Sequence, residues 1–171
     1  MDDTLVIVPA TKICSGSWTL YSHPQEETKW GINTFIKIGT MTTWKDFWSI
    51  INALNTDNLP EGMFFLMRDP VLPLWENHQN IKGGWYSFCV PKETASNSFV
   101  VYSISAMLQK TQKNDKNNIT GISISPKKRF NVIKIWNSDA KLFNKPSDIC
   151  TFIPTVNTGS IQYTPFLQKK M

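Results

Sequence analysis

The sequence predicts an α+β fold, in which a curved, mostly antiparallel β-sheet carries helices on its convex face and leaves its concave face free for a ligand. Seven segments show β-type alternation or enrichment in β-branched and aromatic residues, with Gly, Pro or Asn clusters between them. Two helical patterns interrupt this series. With 171 residues, 41% of them hydrophobic, the chain is expected to form a single domain over residues 1–171.

The predicted strands cover 17–21, 31–38, 62–68, 85–91, 120–125, 131–136 and 160–164. The first predicted helix begins with Thr43 and Asp46 in capping-box spacing. Its core-facing stripe comprises Phe47, Ile50, Ile51 and Leu54. Trp44 and Trp48 lie one turn apart beside this stripe, so we expect both to be partly exposed.

The second predicted helix follows capping candidates at 96–98 and ends near Lys110. Its expected inner face comprises Val100, Ile104, Met107 and Leu108. Residues 111–118 are polar and aperiodic, which is typical of a loop. Further along, Pro146 and Pro154 interrupt the chain between the last two predicted strands, where no long helix is expected.

Composition narrows the class of function. A net charge of +5 and an isoelectric point near 9.1 suit a polyanionic partner such as RNA. Seven tryptophans favour aromatic faces used for stacking, because a buried indole N–H needs a hydrogen-bond partner. No apolar run is long enough for a membrane span. Three cysteines without metal-type spacing, Cys14, Cys89 and Cys150, are expected to be reduced core thiols of an intracellular protein.

The most informative segment is FFLMRDPVLPLWENHQNIKGGWY, at 64–86. Its prolines stiffen a loop that presents Trp75 beside the carboxylate of Glu76. This pair suits guanine, whose N1–H and N2–H₂ edge offers two parallel donors to one carboxylate. Methylation at N7 makes the base cationic and adds a cation–π contribution to stacking. Trp30, which follows a polar loop, is the candidate for the second indole of a sandwich.

A second informative segment, GISISPKKRFNVIKIW at 121–136, predicts two strands joined by a basic turn. Lys127, Lys128 and Arg129 in that turn are candidates for binding phosphates. Trp136 closes the second strand and is a candidate for the pocket wall beside the methyl group. No catalytic motif and no metal-ligand spacing is present, so we expect a binding protein without a cofactor.

In these segments the chain resembles the eukaryotic translation initiation factor 4E family. The matching blocks are SWTLY at 17–21, TKW at 28–30, DFWSIINAL at 46–54, PLWENHQNIKGG at 73–84, and GISIS to KIW at 121–136. The resemblance implies a cytoplasmic protein that binds the 7-methylguanosine 5′ cap of mRNA in a slot on the concave face. Trp30 and Trp75 would stack on the base, and Glu76 would pair with its edge.

The resemblance also implies that Trp136 lies near the methyl group and that the turn Lys127–Arg129 meets the phosphates. Trp44, Trp48 and Val101 would receive a Tyr-x-x-x-x-Leu helix of a scaffold initiation factor or an inhibitory binding protein. Val132 departs from the family pattern, which has a phosphate-binding lysine there, and Trp85 stands at a usual basic position. The size and composition of the chain would suit a minimal or viral member of the family, and we expect a monomer.

Three functions therefore stay open at the level of sequence. The favoured one is a cap-binding initiation factor or a regulator that competes for the cap. The alternative is an interaction protein of the same fold with weak or no cap affinity, as Val132 would allow. An enzyme acting on caps is disfavoured, because the acidic residues of this chain are scattered and lack a metal-binding pattern.

Overall fold

The computed structural model describes residues 10–55, 59–113, 118–154 and 156–167. Its strands are β1 (Trp18–His23), β2 (Ile36–Met41), β3 (Met63–Arg68), β4 (Gly84–Pro91), β5 (Ile119–Pro126), β6 (Phe130–Asn137) and β7 (Gln162–Pro165). They form one seven-stranded sheet in the order β2-β1-β3-β5-β6-β4-β7. Every neighbouring pair is antiparallel, and the sheet is curved, as the sequence predicts.

Two helices cover the convex face: α1 (Trp44–Ala53) and α2 (Lys92–Met107). The predicted capping box at the start of α1 is confirmed. The Thr43 hydroxyl accepts a hydrogen bond from the Asp46 N–H, and the Asp46 carboxylate accepts one from the Thr43 N–H. Hydrogen bonds from the Thr42 and Thr43 backbone hold the pKa of Asp46 down at about 2. The helix therefore begins where the sequence places it.

Strand β3 has apolar residues on both of its faces. Phe64 and Leu66 belong to the large core beneath the helices, whereas Phe65 and Met67 belong to a smaller cluster on the concave face. Successive side chains of a strand point to opposite faces, so a continuous apolar run indicates burial on both sides. The concave face is thus apolar although no helix among the described residues covers it.

Two boundaries differ from the prediction. Strand β2 begins at Ile36 and not at Gly31, because residues 32–34 form a short 3₁₀ helix. Helix α2 begins at Lys92, directly after β4, and the serines expected to cap it lie inside it. Met107 is fully buried as predicted, and Val100, Ile104 and Leu108 pack against the core but are only partly buried. The largest fully buried side chains are instead Phe99 and Tyr102. Serines also occupy the buried face, and they interrupt its apolar pattern; Ser98 bonds to Thr94 O of the preceding turn at 2.7 Å.

The chain after β6 contains no α-helix within its described residues, as expected from the prolines; it forms 3₁₀ turns at 146–148 and 158–160. Residues 114–117 of the predicted loop lie outside the described residues, whereas Thr111 and Gln112 at its start are buried. Gln112 forms an isolated bridge with Ile149, which fastens this part of the loop to the chain after β6.

The cysteines are not the core residues that the sequence suggested. Cys14 and Cys89 are exposed, Cys150 is partly buried, and all three are free thiols. Across the described parts of the chain, no helix is long and apolar enough to cross a membrane. Over the same residues, no group of three or more His, Cys, Asp or Glu side chains is arranged to hold a metal ion.

Candidate functional site

A cavity of about 320 Å³ opens on the concave face of the sheet. Its lining comprises Trp30, Met63, Phe65, Pro73, Leu74, Trp75, Glu76, Trp85, Ser123, Ser125, Lys134 and Trp136. The residues from β3, β4, β5 and β6 form its base, and two loops add the rest. Four residues that the sequence assigned to one site, Trp30, Trp75, Glu76 and Trp136, therefore line one cavity.

Trp30 comes from the β1–β2 loop and is 52% exposed, so its indole is open to a ligand. The buried ring of His23 stacks on it with centroids 4.1 Å apart and planes 4° apart. His23 Nδ1 lies 2.9 Å from the Pro24 carbonyl oxygen, and Nε2 lies 3.1 Å from the Lys29 carbonyl oxygen. A neutral imidazole carries one N–H, so it donates to one of these carbonyl oxygens, and that hydrogen bond orients the ring. His23 is thus a rigid support under Trp30.

Trp75 is 43% exposed and lies beside the exposed Glu76 in the β3–β4 loop. Asn80, which is fully buried, holds this loop from inside. Its Nδ2 donates to the carbonyl oxygens of Leu72 and Leu74 at 3.0 and 2.9 Å. Its Oδ1 accepts from the Thr120 hydroxyl at 2.9 Å, which ties the loop to β5. The amide thereby fixes the backbone on the N-terminal side of Trp75.

The glycine pair at the end of this loop allows a close approach of two backbones. A Cβ on Gly83 would lie 1.7 Å from the Asn137 carbonyl oxygen, and one on Gly84 would lie 2.3 Å from the Thr164 carbonyl oxygen. The Asn137 side chain uses this proximity, since its Oδ1 accepts from the Gly84 N–H at 3.0 Å. Only glycine fits at these positions.

Trp136 forms part of the cavity base and is only 4% exposed. Its indole N–H donates to Ser123 Oγ at 3.0 Å, which satisfies the buried donor. Trp85 meets it nearly edge-on, with centroids 5.4 Å apart, and Phe65 does so from β3 at 6.3 Å. The base is therefore a rigid aromatic surface. Trp85 is half-buried and lines the cavity.

Lys134 is a basic residue of the cavity that sequence analysis did not assign. Its ammonium lies 3.5 Å from the centroid of the Trp85 ring. Burial lowers the pKa of Lys134 to about 8, and the like charge of Lys127 adds to this effect. The ammonium is consequently held in a partly dry, aromatic environment.

Lys127, Lys128 and Arg129 are exposed in the β5–β6 turn, and none of them lines the cavity itself. The turn is closed by a hydrogen bond from the Lys127 N–H to the Phe130 carbonyl oxygen at 2.8 Å. Since Lys127 is close enough to act on the charge of Lys134, the turn lies at the edge of the site.

On the convex face, a groove between the helices is lined by Trp48, Ile51, Asn52, Pro60, Lys92, Glu93, Ser96, Asn97 and Val100. Trp48 is 42% exposed, as expected. Trp44 is not: it is 3% exposed and packs edge-on against Phe47 with centroids 5.9 Å apart. Val101 is half-buried and does not line the groove, whereas its neighbour Val100 does.

The correction for Trp44 has a simple physical cause. Trp44, Phe47 and Ile51 follow each other at i, i+3 and i+7, so they share one helical face, and that face enters the core. Trp48 lies outside it. Trp44 was expected to be exposed because the predicted centre of the apolar stripe was rotated about the helix axis, towards Ile50 and Leu54.

Several residues of the site were not predicted from the sequence, among them His23, Asn80 and Lys134. The sequence contained an indication for Asn80, because an asparagine inside a loop, shortly before a glycine pair, can hydrogen-bond to the backbone of that loop. The alternation of β6 places Lys134 on the same strand face as Trp136, which was a second indication. For His23 there was none, because its stack on Trp30 depends on the course of the loop between them.

Comparison with known proteins identifies the family. Residues 14–165 match the family model described as "Eukaryotic initiation factor 4E". The chain is 27% identical over 130 residues to eukaryotic translation initiation factor 4E of Candida albicans, which covers 71% of this chain and 62% of the relative. It is 26% identical over 153 residues to the Dictyostelium discoideum protein of that name, with coverages of 86% and 60%. The chain thus spans about three fifths of the length of these curated relatives.

Solved structures agree in fold. The structure of Ascaris suum eIF4E-3 with m7G cap matches with a TM-score of 0.65 at 17% identity, covering 77% of this chain and 75% of that one. The complex of C. elegans eIF4E-3 with the 4E-binding protein Mextli and cap analog matches with a TM-score of 0.65 at 18% identity, covering 78% and 75%. With the family model spanning most of its length, this chain belongs to the eukaryotic initiation factor 4E family.

Proposed function

We propose that this protein binds the 7-methylguanosine 5′ cap of mRNA in the concave-face cavity and acts as a translation initiation factor or as a regulator that competes for the cap. One observation carries the proposal: two exposed indoles, Trp30 and Trp75, and the carboxylate of Glu76 line the same aromatic cavity. Family membership and the cap-bound structures of relatives support it.

The two indoles are suited to a cationic base. Stacking of a base on an aromatic side chain contributes on the order of 1–3 kcal/mol, and the positive charge of N7-methylguanine adds a cation–π attraction. His23 beneath Trp30 and Asn80 behind Trp75 hold these platforms before the ligand arrives. Little order then has to be gained on binding, which favours affinity.

Glu76 supplies the selectivity for guanine. Its ionised carboxylate accepts hydrogen bonds and has two oxygens, so it matches the paired donors N1–H and N2–H₂ of guanine. Adenine lacks this pair of donors. Trp136 closes the base of the cavity and offers an apolar contact to the N7 methyl group, and the turn Lys127–Arg129 faces the outgoing phosphate chain.

Tryptophan-fluorescence titration with 7-methyl-GTP and with GTP tests the proposal. Strong quenching by 7-methyl-GTP and weak quenching by GTP are expected, because only the methylated base is cationic. Trp75→Ala should raise the Kd for 7-methyl-GTP by roughly ten- to hundredfold. Glu76→Gln should raise it as well, while Glu26→Gln, in an exposed carboxylate that does not line the cavity, should not. Equal binding of the two nucleotides by the wild type would refute cap recognition.

The convex groove favours a second, compatible function, the binding of a partner helix. Trp48 is exposed beside a groove of about 580 Å³ that both helices line. Solved relatives carry the 4E-binding protein Mextli or 4E-BP, which supports a partner with the helical Tyr-x-x-x-x-Leu motif, in a scaffold initiation factor or an inhibitory binding protein. Trp44 is buried and would act only by supporting α1.

Fluorescence anisotropy with a labelled Tyr-x-x-x-x-Leu peptide tests this surface. Trp48→Ala should weaken binding by about tenfold or more, as is usual for an exposed aromatic anchor. Leu142→Ala, at a more exposed apolar residue outside the groove, is the control. A protein that binds the peptide but neither nucleotide would be the interaction protein without cap affinity; binding that Trp48→Ala leaves intact would place the peptide elsewhere.

A further inference from the structure

Lys134 is the one basic side chain among the described residues that line the cavity. It lies on β6 two residues before Trp136, so the two side chains share the concave face of the sheet. The antiparallel register places Ser123 of β5 and Ser87 of β4 opposite it. The ammonium therefore belongs to the base of the cavity, whereas the other basic candidates are in the exposed turn.

Within the described part of the chain, no carboxylate forms an ion pair with this ammonium; the ion pair found there joins Lys92 to Glu61. The face of Trp85, 3.5 Å away, offers only a cation–π contact. A buried charge that has lost water without gaining a counter-ion is unfavourable. Such a lysine is preorganised for an anionic group that a ligand brings.

Hydroxyl groups surround the same point. Ser123 and Ser125 line the cavity beside Lys134. Ser123 Oγ already accepts the Trp136 indole N–H at 3.0 Å, so its own hydrogen is directed elsewhere and can reach an incoming oxygen. An ammonium with adjacent hydroxyl donors matches the oxygens of a phosphate group.

We propose that Lys134, assisted by Ser123 and Ser125, binds the phosphates nearest to the base in the 5′–5′ triphosphate of the cap. The inference rests on the proposed cap function, because the base must occupy the aromatic part of the cavity for its phosphates to reach Lys134. The exposed turn Lys127–Arg129 then serves phosphates further along the chain. Val132, one side-chain position away on the same strand face, carries no charge and cannot take this role.

The test compares ligands that differ only in phosphate number: 7-methylguanosine, its monophosphate, its diphosphate and 7-methyl-GTP. For the wild type, the affinity should rise with the number of phosphates in the ligand. Lys134→Met keeps a long apolar stem but removes the charge. This variant should reduce the increase in affinity from nucleoside to triphosphate by roughly ten- to hundredfold. It should leave the affinity for the nucleoside nearly unchanged. Lys141→Met, at an exposed lysine outside the cavity, is the matched control.

A second variant tests the position of the charge. Val132→Lys introduced into the Lys134→Met protein returns a cation to the same strand face and should restore part of the lost gain. No recovery would mean that a cation on this strand face does not by itself bind the phosphates, and would count against the proposal. Circular dichroism and the retained nucleoside affinity check that the Lys134→Met protein is folded.

The dependence on pH provides a readout that a merely structural lysine would not alter. Because the pKa of Lys134 is lowered to about 8, the triphosphate-to-nucleoside affinity ratio of the wild type should fall as pH rises above that value. The Lys134→Met ratio should change less. Taking the ratio removes effects that act on the base alone. Glu76, Lys127 and the exposed Cys89 are the other charged or thiol groups nearby, and all three are shared by the two proteins.

The outcomes separate the two proposals. If the wild type binds none of the methylated ligands, the cap function itself fails. If the wild type binds them and Lys134→Met loses nucleoside and triphosphate affinity by the same factor, Lys134 supports Trp85 and does not bind phosphate. An unchanged phosphate gain in Lys134→Met would overturn the proposal too.

Discussion

The loop that carries Trp75 depends on one buried amide, and replacing it should cost both stability and affinity. Asn80→Ala removes the donor that serves the Leu72 and Leu74 carbonyl oxygens and the acceptor that serves the Thr120 hydroxyl. The position is fully buried, so water does not readily replace the lost groups.

The size of the effect follows from these contacts. A buried polar group left without a partner costs about 1–3 kcal/mol, and three groups are affected here. Leu72 and Leu74 are only half-buried, so their carbonyl groups can recover part of this cost from solvent. We expect a loss of about 3 kcal/mol in the free energy of unfolding. If about half of it reflects order within the loop, the affinity for 7-methyl-GTP falls roughly tenfold.

Urea unfolding, fluorescence titration with 7-methyl-GTP and amide hydrogen exchange over 72–80 measure the three consequences. The control is Asn144→Ala, since Asn144 is exposed but donates a similar side-chain hydrogen bond to the Ala140 carbonyl oxygen at 2.9 Å. It should change stability by less than about 0.5 kcal/mol. The reasoning would be wrong if Asn80→Ala and Asn144→Ala had equal effects, or if exchange in the loop stayed as slow as in the wild type.

Three further predictions concern other parts of the structure. His23→Ala should raise the Kd for 7-methyl-GTP a few-fold, but should add nothing in the Trp30→Ala background, because His23 acts through Trp30; additive losses in the double-mutant cycle would contradict this. The pKa of Asp46 is lowered, so its stabilisation is present above a pH of about 4 and is lost as pH falls towards 2. Urea unfolding should therefore show that the difference in the free energy of unfolding between wild type and Asp46→Asn shrinks over that range. A constant difference would exclude the capping box of α1 as its source. Gly83→Ala should be strongly destabilising, by about 3 kcal/mol or more, because its Cβ would meet backbone. Thermal unfolding should show Gly159→Ala much milder, where the nearest atom is a side-chain oxygen 3.2 Å away; similar Tm values for the two would refute the steric argument.

The sequence predicts the sheet well because local pattern and tertiary position agree there. Strand β3 has apolar residues throughout, which indicates burial on both faces, and both faces are buried. The start of α1 was predictable for a similar reason, since the Thr43–Asp46 capping box is satisfied within one helical turn.

Prediction failed where packing outweighed local pattern. The buried face of α2 is partly serine, and Ser98 and Ser105 are tolerated there because their hydroxyl groups bond to the preceding turn. No apolar periodicity marks such a face. Trp44 was expected to be exposed because the predicted centre of the apolar stripe was rotated about the helix axis, away from Trp44. In both helices the error concerns rotation about the axis, which only the contacts with the sheet decide.

The candidate site shows the same division between chemistry and geometry. Trp75 and Glu76 are adjacent in sequence and Trp136 ends a strand, so residue type and spacing identified them. Lys134 and His23 depend on which side chains share a face or a loop. Lys134 was not predicted as a site residue because the resemblance implied a charge at position 132, where this chain has valine. A register drawn from the two strands and their turn would have placed Lys134 beside Ser123.

The sheet explains why a binding cavity and a helix-covered core can exist in one small chain. Phe64 and Leu66 of β3 face the helices, and Phe65 and Met67 face the cavity side. The second set receives no covering helix, yet it is buried, because aromatic residues and the loops carrying Trp30 and Trp75 close over it. An aromatic base inserted between those loops would complete this smaller cluster as a third layer. In the proposed function, ligand binding would extend a core that the described residues leave open. The supports of the two loops, and not the convex face, are therefore expected to control affinity.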